Sequence, residues 1–222
     1  MTTLTSEKIA RLLEALYADA ANNPPPSREA GPQILSGLSA RELYHMMRQV
    51  YMAIDADFGQ LLYTLVRASG AREIVEFGTS MGVSTIYLAC ALRDNGGGHL
   101  ITTEFEAEKI ERARKNLSDA GLVDLVEFRE GDALDSLKSD LPESIDFVFL
   151  DGAKEMYLDV LKRIEPNIRA GGLVASDNTD HDGLDEFLAY LRDTQNGYLH
   201  SEFTTTRGDR SSGHAVSMRC GA

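Results

Sequence analysis

Apolar residues follow a helical spacing through roughly the first 70 positions, then break into short apolar runs separated by helical stretches. Over residues 6–21, Ile9, Leu12, Leu13, Leu16 and Tyr17 form one stripe of period 3.6, which predicts an amphipathic helix. Asn22-Asn23-Pro24-Pro25-Pro26 ends it, because proline cannot continue a helix and pushes its predecessor toward extended geometry. The stretch to Leu38 reads as a loop. Ser39 with Glu42 three residues on forms a capping-box pattern, and Leu43, Met46, Met47, Val50 and Tyr51 follow on one predicted helical face. A third helix is predicted over 58–68.

From Arg72 onward, strands are predicted over 74–77, 99–103, 125–128, 146–150 and 173–176. Helices are predicted between and after them, over 83–92, 108–120, 156–168 and 184–192. Strands alternating with helices imply parallel βαβ units, hence an α/β doubly wound sheet. Two terminal strands, near 198–205 and 214–219, have no helix between them, so a hairpin adds an antiparallel C-terminal edge. Residues 1–70 read as a helical N-terminal extension on the substrate side, and 71–222 as the main unit of one compact domain. Gly96-Gly97-Gly98 is a helix-to-strand turn. Ligands of such sheets bind outside the carboxyl ends of the strands.

Composition narrows the function. With 22 Lys+Arg against 35 Asp+Glu, the 222-residue chain carries a formal charge of −13. An acidic surface repels phosphate backbones and anionic lipid, which argues against nucleic acid as a partner. No apolar run approaches the roughly 20 residues of a membrane span. Lys8, Arg11, Glu7, Glu14 and Asp19 interrupt the first 21 residues, which therefore do not read as a signal peptide. Cys90 and Cys220 are the only cysteines, too few for a disulfide framework or a structural zinc site. The expectation is a cytoplasmic globular protein.

Candidate chemistry sits after the strands. Glu76-Phe77-Gly78-Thr79-Ser80-Met81-Gly82 follows the first, placing a carboxylate before two glycines and a helix N-terminus. This differs from the dinucleotide fingerprint and suits a ligand with positive charge and hydroxyls. The run from Gly78 to Gly82 also matches the nucleophile elbow G-x-S-x-G of hydrolases. Against a hydrolase stand the helical residues that precede the elbow and the lack of an HGGG-like oxyanion segment. Glu104 ends the second strand at a distance that suits ribose hydroxyls, though a solvated acid at a helix start reads equally well on its own. Asp132 either reaches an adenine amino group or caps the next helix. Asp151, Asp177 and Asn178 follow two further strands as a hard-oxygen set suited to Mg²⁺ or Ca²⁺, and Lys154 is placed over the same site as a base. The bland alternative makes Asp177 and Asn178 caps and Lys154 a surface residue.

Five segments carry a family likeness. They are Phe58-Gly59-Gln60-Leu61-Leu62, the run from Ile74 to Thr85, Gly131-Asp132-Ala133-Leu134, Phe149-Leu150-Asp151-Gly152-Ala153-Lys154 and Ser176-Asp177-Asn178-Thr179. Together they resemble the cation-dependent S-adenosylmethionine O-methyltransferases, the group of the catechol and caffeoyl-CoA enzymes. The resemblance implies a Rossmann-like class I methyltransferase sheet and covers roughly residues 40–220. By that resemblance Glu76, Gly78 and Ser84 line the methionine part of the cofactor, Glu104 holds the ribose, and Asp132 with Ala133 frames the adenine. Ser80, Phe105 and Asp151 complete the implied cofactor set. Asp151, Asp177 and Asn178 match the divalent-cation ligands (Mg²⁺ first, Ca²⁺ or Mn²⁺ as alternatives), and Lys154 matches the general base. The implied substrate is a small hydroxylated aromatic with vicinal hydroxyls, and the implied assembly a homodimer.

Three departures bear on the substrate. Gly152-Ala153 is small where the catechol enzymes carry bulky rings, His181 stands where many members are apolar, and the stretch 204–213, with Arg207 and Arg210, differs from the family's usual ending. Methylation of a hydroxylated tRNA uridine and a cofactor-binding protein without catalysis remain alternatives at this level.

Overall fold

The computed structural model describes residues 1–23, 40–207 and 210–221. The Pro24-Pro25-Pro26 stop, the loop to Leu38, the Ser39 cap, and Gly208 and Asp209 lie outside the described residues.

Helix α1 spans Glu7–Asn22, with the Ser6 hydroxyl accepting from Ile9 N at its start. Helix α2 spans Ala40–Met46 and α3 spans Ala56–Ser69, closed by Gly70 in the left-handed region. Strand β1 (Glu73–Phe77), helix α4 (Val83–Asp94), strand β2 (His99–Glu104) and helix α5 (Ala107–Ala120) follow. Then come β3 (Val126–Glu130), the single turn α6 (Ala133–Ser136), β4 (Ile145–Leu150), α7 (Tyr157–Ile164) and β5 (Ile168–Asp177). Helix α8 (Asp185–Arg192) and the hairpin β6 (Tyr198–Arg207) and β7 (Arg210–Arg219) complete the chain.

The sheet order is β3-β2-β1-β4-β5-β7-β6. Strands β1 to β5 run parallel; β7 is antiparallel to both β5 and β6. The expected doubly wound α/β sheet with an antiparallel terminal hairpin is therefore present. The hairpin folds back so that β7, the later strand, lies inside and β6 forms the edge.

Side chains alternate across the sheet as the two-residue period requires. Phe147 and Phe149 of β4 join Ile74, Leu100 and Ala175 on the face covered by α1, α3, α4 and α5. Val148 and Leu150 join Val75, Ile101 and Val174 on the face covered by α7 and α8. Ile9, Leu13 and Leu16 of α1 belong to the first cluster, so the N-terminal helix shares the core of the sheet. Polar contacts fix it further: Thr3 N–H and Oγ1 donate to Asp94, which also accepts from Tyr63 Oη at 2.7 Å.

Two predicted helices change extent. The helix drawn through Val50 and Tyr51 stops at Met46, because the following residues turn to meet the acidic start of α5. Arg48 donates to the His45 carbonyl at 2.9 Å, and His45 and Arg48 reach Glu106 and Glu108. Tyr51 is still buried, from an irregular segment. The helix predicted to Ile168 ends at Ile164, where Pro166 admits only a short 3₁₀ turn before β5. No helix among the described residues is long and apolar enough to cross a membrane.

One acid lies wholly inside. Glu76 is fully buried, and its carboxylate accepts from Ser84 Oγ (2.6 Å), Thr85 Oγ1 (2.7 Å) and Thr102 Oγ1 (2.6 Å). Burial pushes its pKa up to about 7 despite those three donors. A carboxyl whose folded pKa exceeds its unfolded value favours the folded state while it is protonated in both. That contribution is present below the unfolded value of 4.5 and is lost as pH rises through about 7. Glu76→Gln is expected to flatten the fall in stability of the cofactor-free protein between those pH values, by up to about 3 kcal/mol relative to wild type. Urea midpoints across the pH series measure it, and parallel slopes for the two proteins would refute it. Leu62→Ala, at a fully buried position between α3 and the sheet, is expected to cost about 2–5 kcal/mol by the same denaturant method. A cost below 1 kcal/mol would mean that α3 is not part of the cooperative core.

Candidate active site

The parallel register aligns the strand ends in a row. Phe77 pairs with Thr103 on one side and Leu150 on the other, and Leu150 pairs with Ser176. One position further along, Glu104, Gly78, Asp151 and Asp177 stand side by side, and Asp177 pairs across to His214 on β7. The closeness is direct: a Cβ at Gly78 would sit 2.6 Å from the Asp151 carbonyl oxygen, and Gly78 has φ +101°, so glycine alone fits there.

A cavity of about 310 Å³ opens over this row. Gly78, Ser80, Glu104, Phe105, Asp132, Ala133 and Asp151 all line it, as the sequence reading expected. Lys154, Asp177 and Asn178 lie outside its lining, and so do Glu76 and Ser84. The last two bond to each other beneath the floor, so Glu76 supports the β1–α4 turn from inside and does not face a ligand in the cavity.

Glu104 ends β2 with Oε2 accepting from Ser80 N–H (2.8 Å) and Oε1 from Phe105 and Glu106 N–H (2.9 and 3.0 Å). A carboxylate has about four acceptor positions, so three backbone donors fix its orientation and leave capacity for a ligand hydroxyl. Burial raises its pKa against those bonds and the Lys109 charge. Asp132 does both things weighed for it: it caps α6 through Leu134 N–H at 2.8 Å and lines the cavity.

At the other end, Lys154 Nζ donates to Asp151 Oδ1 (3.1 Å) and to Tyr157 Oη (2.8 Å), and Tyr157 Oη donates to the Asp177 carbonyl (3.2 Å). Lys154 is therefore bound over the site and is not a surface residue. Burial holds the Asp151 carboxyl well above its ordinary range; the Asp177 and Glu76 charges add to this while Lys154 opposes it. Asp177 Oδ1 accepts from Asn178 N–H (2.7 Å) and faces His214 Nδ1 (2.8 Å). Asn178 adopts φ +54° and its amide nitrogen donates to Ser212 at 3.3 Å. Neither Asp177 nor Asn178 caps a helix, since α8 begins at Asp185.

The donor chemistry fits a hard cation. No three His, Cys, Asp or Glu side chains converge among the described residues; the set is two carboxylates and one amide. Among the described residues, the bonds above engage Oδ1 of each aspartate and none of them uses Oδ2. The Asp177 charge adds to the upward push on the Asp151 carboxyl, and a dication beside the pair would relieve it.

The elbow reading fails on geometry. Ser80 Oγ is buried with no hydrogen-bond partner among the described residues, so no histidine activates it. His181 is exposed in the turn after Asn178. The small Gly152 has a local cause: a Cβ there would meet the Phe77 ring at 2.5 Å, so Phe77 takes the space of a side chain at this position.

Sequence reasoning missed Lys109, Tyr44, Met52, Glu155 and Met156, which also line the cavity. Lys109 is 3% exposed, and burial lowers its pKa against the Glu104, Glu106 and Asp151 charges. Its signal was available, since it stands in the buried stripe of α5 with Ala113, Asn116 and Ala120. Tyr44 and Met52 come from the N-terminal segment, and no local pattern reveals that they reach the site. Burial pushes the Tyr44 phenol up to about 12, with Glu155, Asp151 and Glu104 adding to it.

Known proteins agree with this arrangement. A family profile described as O-methyltransferase matches residues 27–187. Caffeoyl-CoA O-methyltransferase 1 of Eucalyptus globulus is 31% identical over 194 residues, covering 81% of this chain and 76% of that one. A catechol O-methyltransferase of Niastella koreensis is 35% identical over 140 residues, covering 61% of this chain and 62% of its own length. Among solved structures, the O-methyltransferase TomG of Streptomyces achromogenes, in complex with S-adenosylmethionine, superposes with a TM-score of 0.71 at 26% identity, covering 86% of this chain and 94% of that one. With a family profile across most of the chain, the same sheet, and acids where the strands end, the chain belongs to the O-methyltransferase family of S-adenosylmethionine-dependent enzymes.

Proposed function

We propose that this protein transfers the methyl group of S-adenosylmethionine to one hydroxyl of a catechol-like vicinal diol, with a divalent cation, Mg²⁺ first, at the Asp151–Asp177 edge. The observation that carries the reading is the placement of Asp151 and Asp177 on adjacent parallel strands, with Lys154 Nζ 3.1 Å from Asp151 and the cavity running from there to Glu104.

Glu104, fixed by three backbone donors, takes the ribose hydroxyls, with Asp132 and Ala133 at the adenine end. The acidic lining suits a sulfonium ligand and offers no cradle for phosphate. Asp151, Asp177 and Asn178 would hold the cation, which when bound polarises the two adjacent oxygens of the diol. Lys154 Nζ donates to Asp151 and Tyr157, which hold it in place to take the proton of a substrate hydroxyl. Transfer breaks the S–CH₃ bond and forms O–CH₃, with the hydroxyl proton passing to Lys154. Holding acceptor and methyl in line contributes much of the rate. Tyr44, Met52, Glu155 and Met156 line the cavity near Asp151 and set the diol's shape.

Two measurements test this. Transfer from labelled S-adenosylmethionine to a panel including caffeate and 3,4-dihydroxybenzoate is expected with Mg²⁺ and lost on addition of EDTA. Transfer that survives chelation would reduce Asp151, Asp177 and Asn178 to cofactor contacts, and methylation of tRNA with no transfer to any diol would replace the substrate class. Lys154→Ala is expected to lower turnover roughly 10²–10⁴-fold with cofactor affinity nearly unchanged. Equal loss of both would remove Lys154 from the role of base.

A further inference from the structure

His214 is a buried polar residue that the family resemblance does not account for. It is 2% exposed and sits on β7 directly across from Asp177 on β5. Its ring stacks on Phe58 (centroids 4.0 Å apart, 25° between planes) and lies beside Phe203 at 5.3 Å. Those contacts come from α3 and β6, so two elements packed against β7 fix the plane of the imidazole. Its two nitrogens are then committed to different partners. Nε2 lies 2.7 Å from Thr205 Oγ1. Nδ1 is buried, makes no hydrogen bond of straight geometry, and faces Asp177 Oδ1 at 2.8 Å. A Thr205 hydroxyl donating to Nε2 leaves the ring proton on Nδ1, the nitrogen beside the Asp177 carboxylate.

We infer that His214 is a positioning residue for the cation site, fixing the Asp177 carboxylate from its Oδ1 side at the strand end next to Asp151. The inference rests on the cation reading above. Carboxylate ligands are oriented by hydrogen bonds to groups behind them, and loss of such a partner costs roughly 10- to 100-fold in metal affinity. Here the partner sits on the terminal hairpin. That hairpin is also tied to the segment after β5, through Thr179 N–H to the Gly213 carbonyl and Gly213 N–H to Asp180 Oδ1, both 2.9 Å. The C-terminal stretch that departs from the family's usual ending thus reaches the site through His214.

The test is Mn²⁺ binding to the full-length protein by isothermal titration calorimetry, with S-adenosylmethionine binding measured in parallel. His214→Leu keeps an apolar body and removes the donor; Mn²⁺ affinity is expected to fall roughly 10- to 100-fold while cofactor affinity holds. His214→Asn, which offers an amide N–H, is expected to recover most of that loss. Thr205→Val, which frees the ring to take the other tautomer, is expected to fall between wild type and His214→Leu, and it decides the matter if the leucine variant does not fold. Wild-type Mn²⁺ affinity in His214→Leu or Thr205→Val, or equal loss in the leucine and asparagine variants, would overturn the positioning role alone. A wild-type protein that binds S-adenosylmethionine but not Mn²⁺ would overturn the cation reading and this inference with it.

Discussion

Burying several carboxylates at one edge of a sheet is the constraint that shapes this protein. Parallel pairing brings the ends of β1, β2, β4 and β5 to one line, and acids occupy that line or the position just inside it. An unpaired buried charge is prohibitive, so each acid needs its own donors. Glu76 has three hydroxyls, Glu104 three backbone N–H groups, Asp151 the Lys154 side chain, and Asp177 the Asn178 N–H with His214 alongside. The donors differ in kind, and so do the consequences. Hydroxyls and backbone amides are fixed and neutral, whereas Lys154 is a titratable side chain that also donates to Tyr157.

The same crowding dictates where side chains are absent. The row holds Gly78 between Glu104 and Asp151 because the β1 and β4 backbones approach too closely for a Cβ. Gly152 is small because Phe77 already fills its space, and Phe77 in turn meets Tyr157 edge-on at 6.2 Å between centroids. Tyr157 then orients Lys154. A substitution at Gly152 would therefore reach Lys154 through two aromatic contacts.

The N-terminal helices belong to this arrangement. Thr3 and Tyr63 tie the start of the chain to Asp94 at the end of α4, while Tyr44 and Met52 reach the cavity from the following segment.

The sequence by itself determined the α/β order, the parallel sheet with its terminal hairpin, and which acids follow which strands. Those features rest on local periodicity and on turn residues, which act over a few positions. It also placed Glu104, Asp132, Asp151 and Lys154 at the site, because the carboxyl ends of parallel strands must share an edge. Tertiary structure decided the rest. Glu76 and Ser84 face each other under the floor, since side-chain direction at the end of β1 depends on the hydroxyls that α4 and β2 bring to it. Val50 and Tyr51 left the helix their spacing allowed, because the acidic start of α5 pulled the preceding turn toward it. Lys109, Tyr44 and His214 became visible only when helices and a hairpin from distant parts of the chain packed around one row of carboxylates. Burial and charge pairing are properties of that assembled neighbourhood, and no window of the sequence contains it.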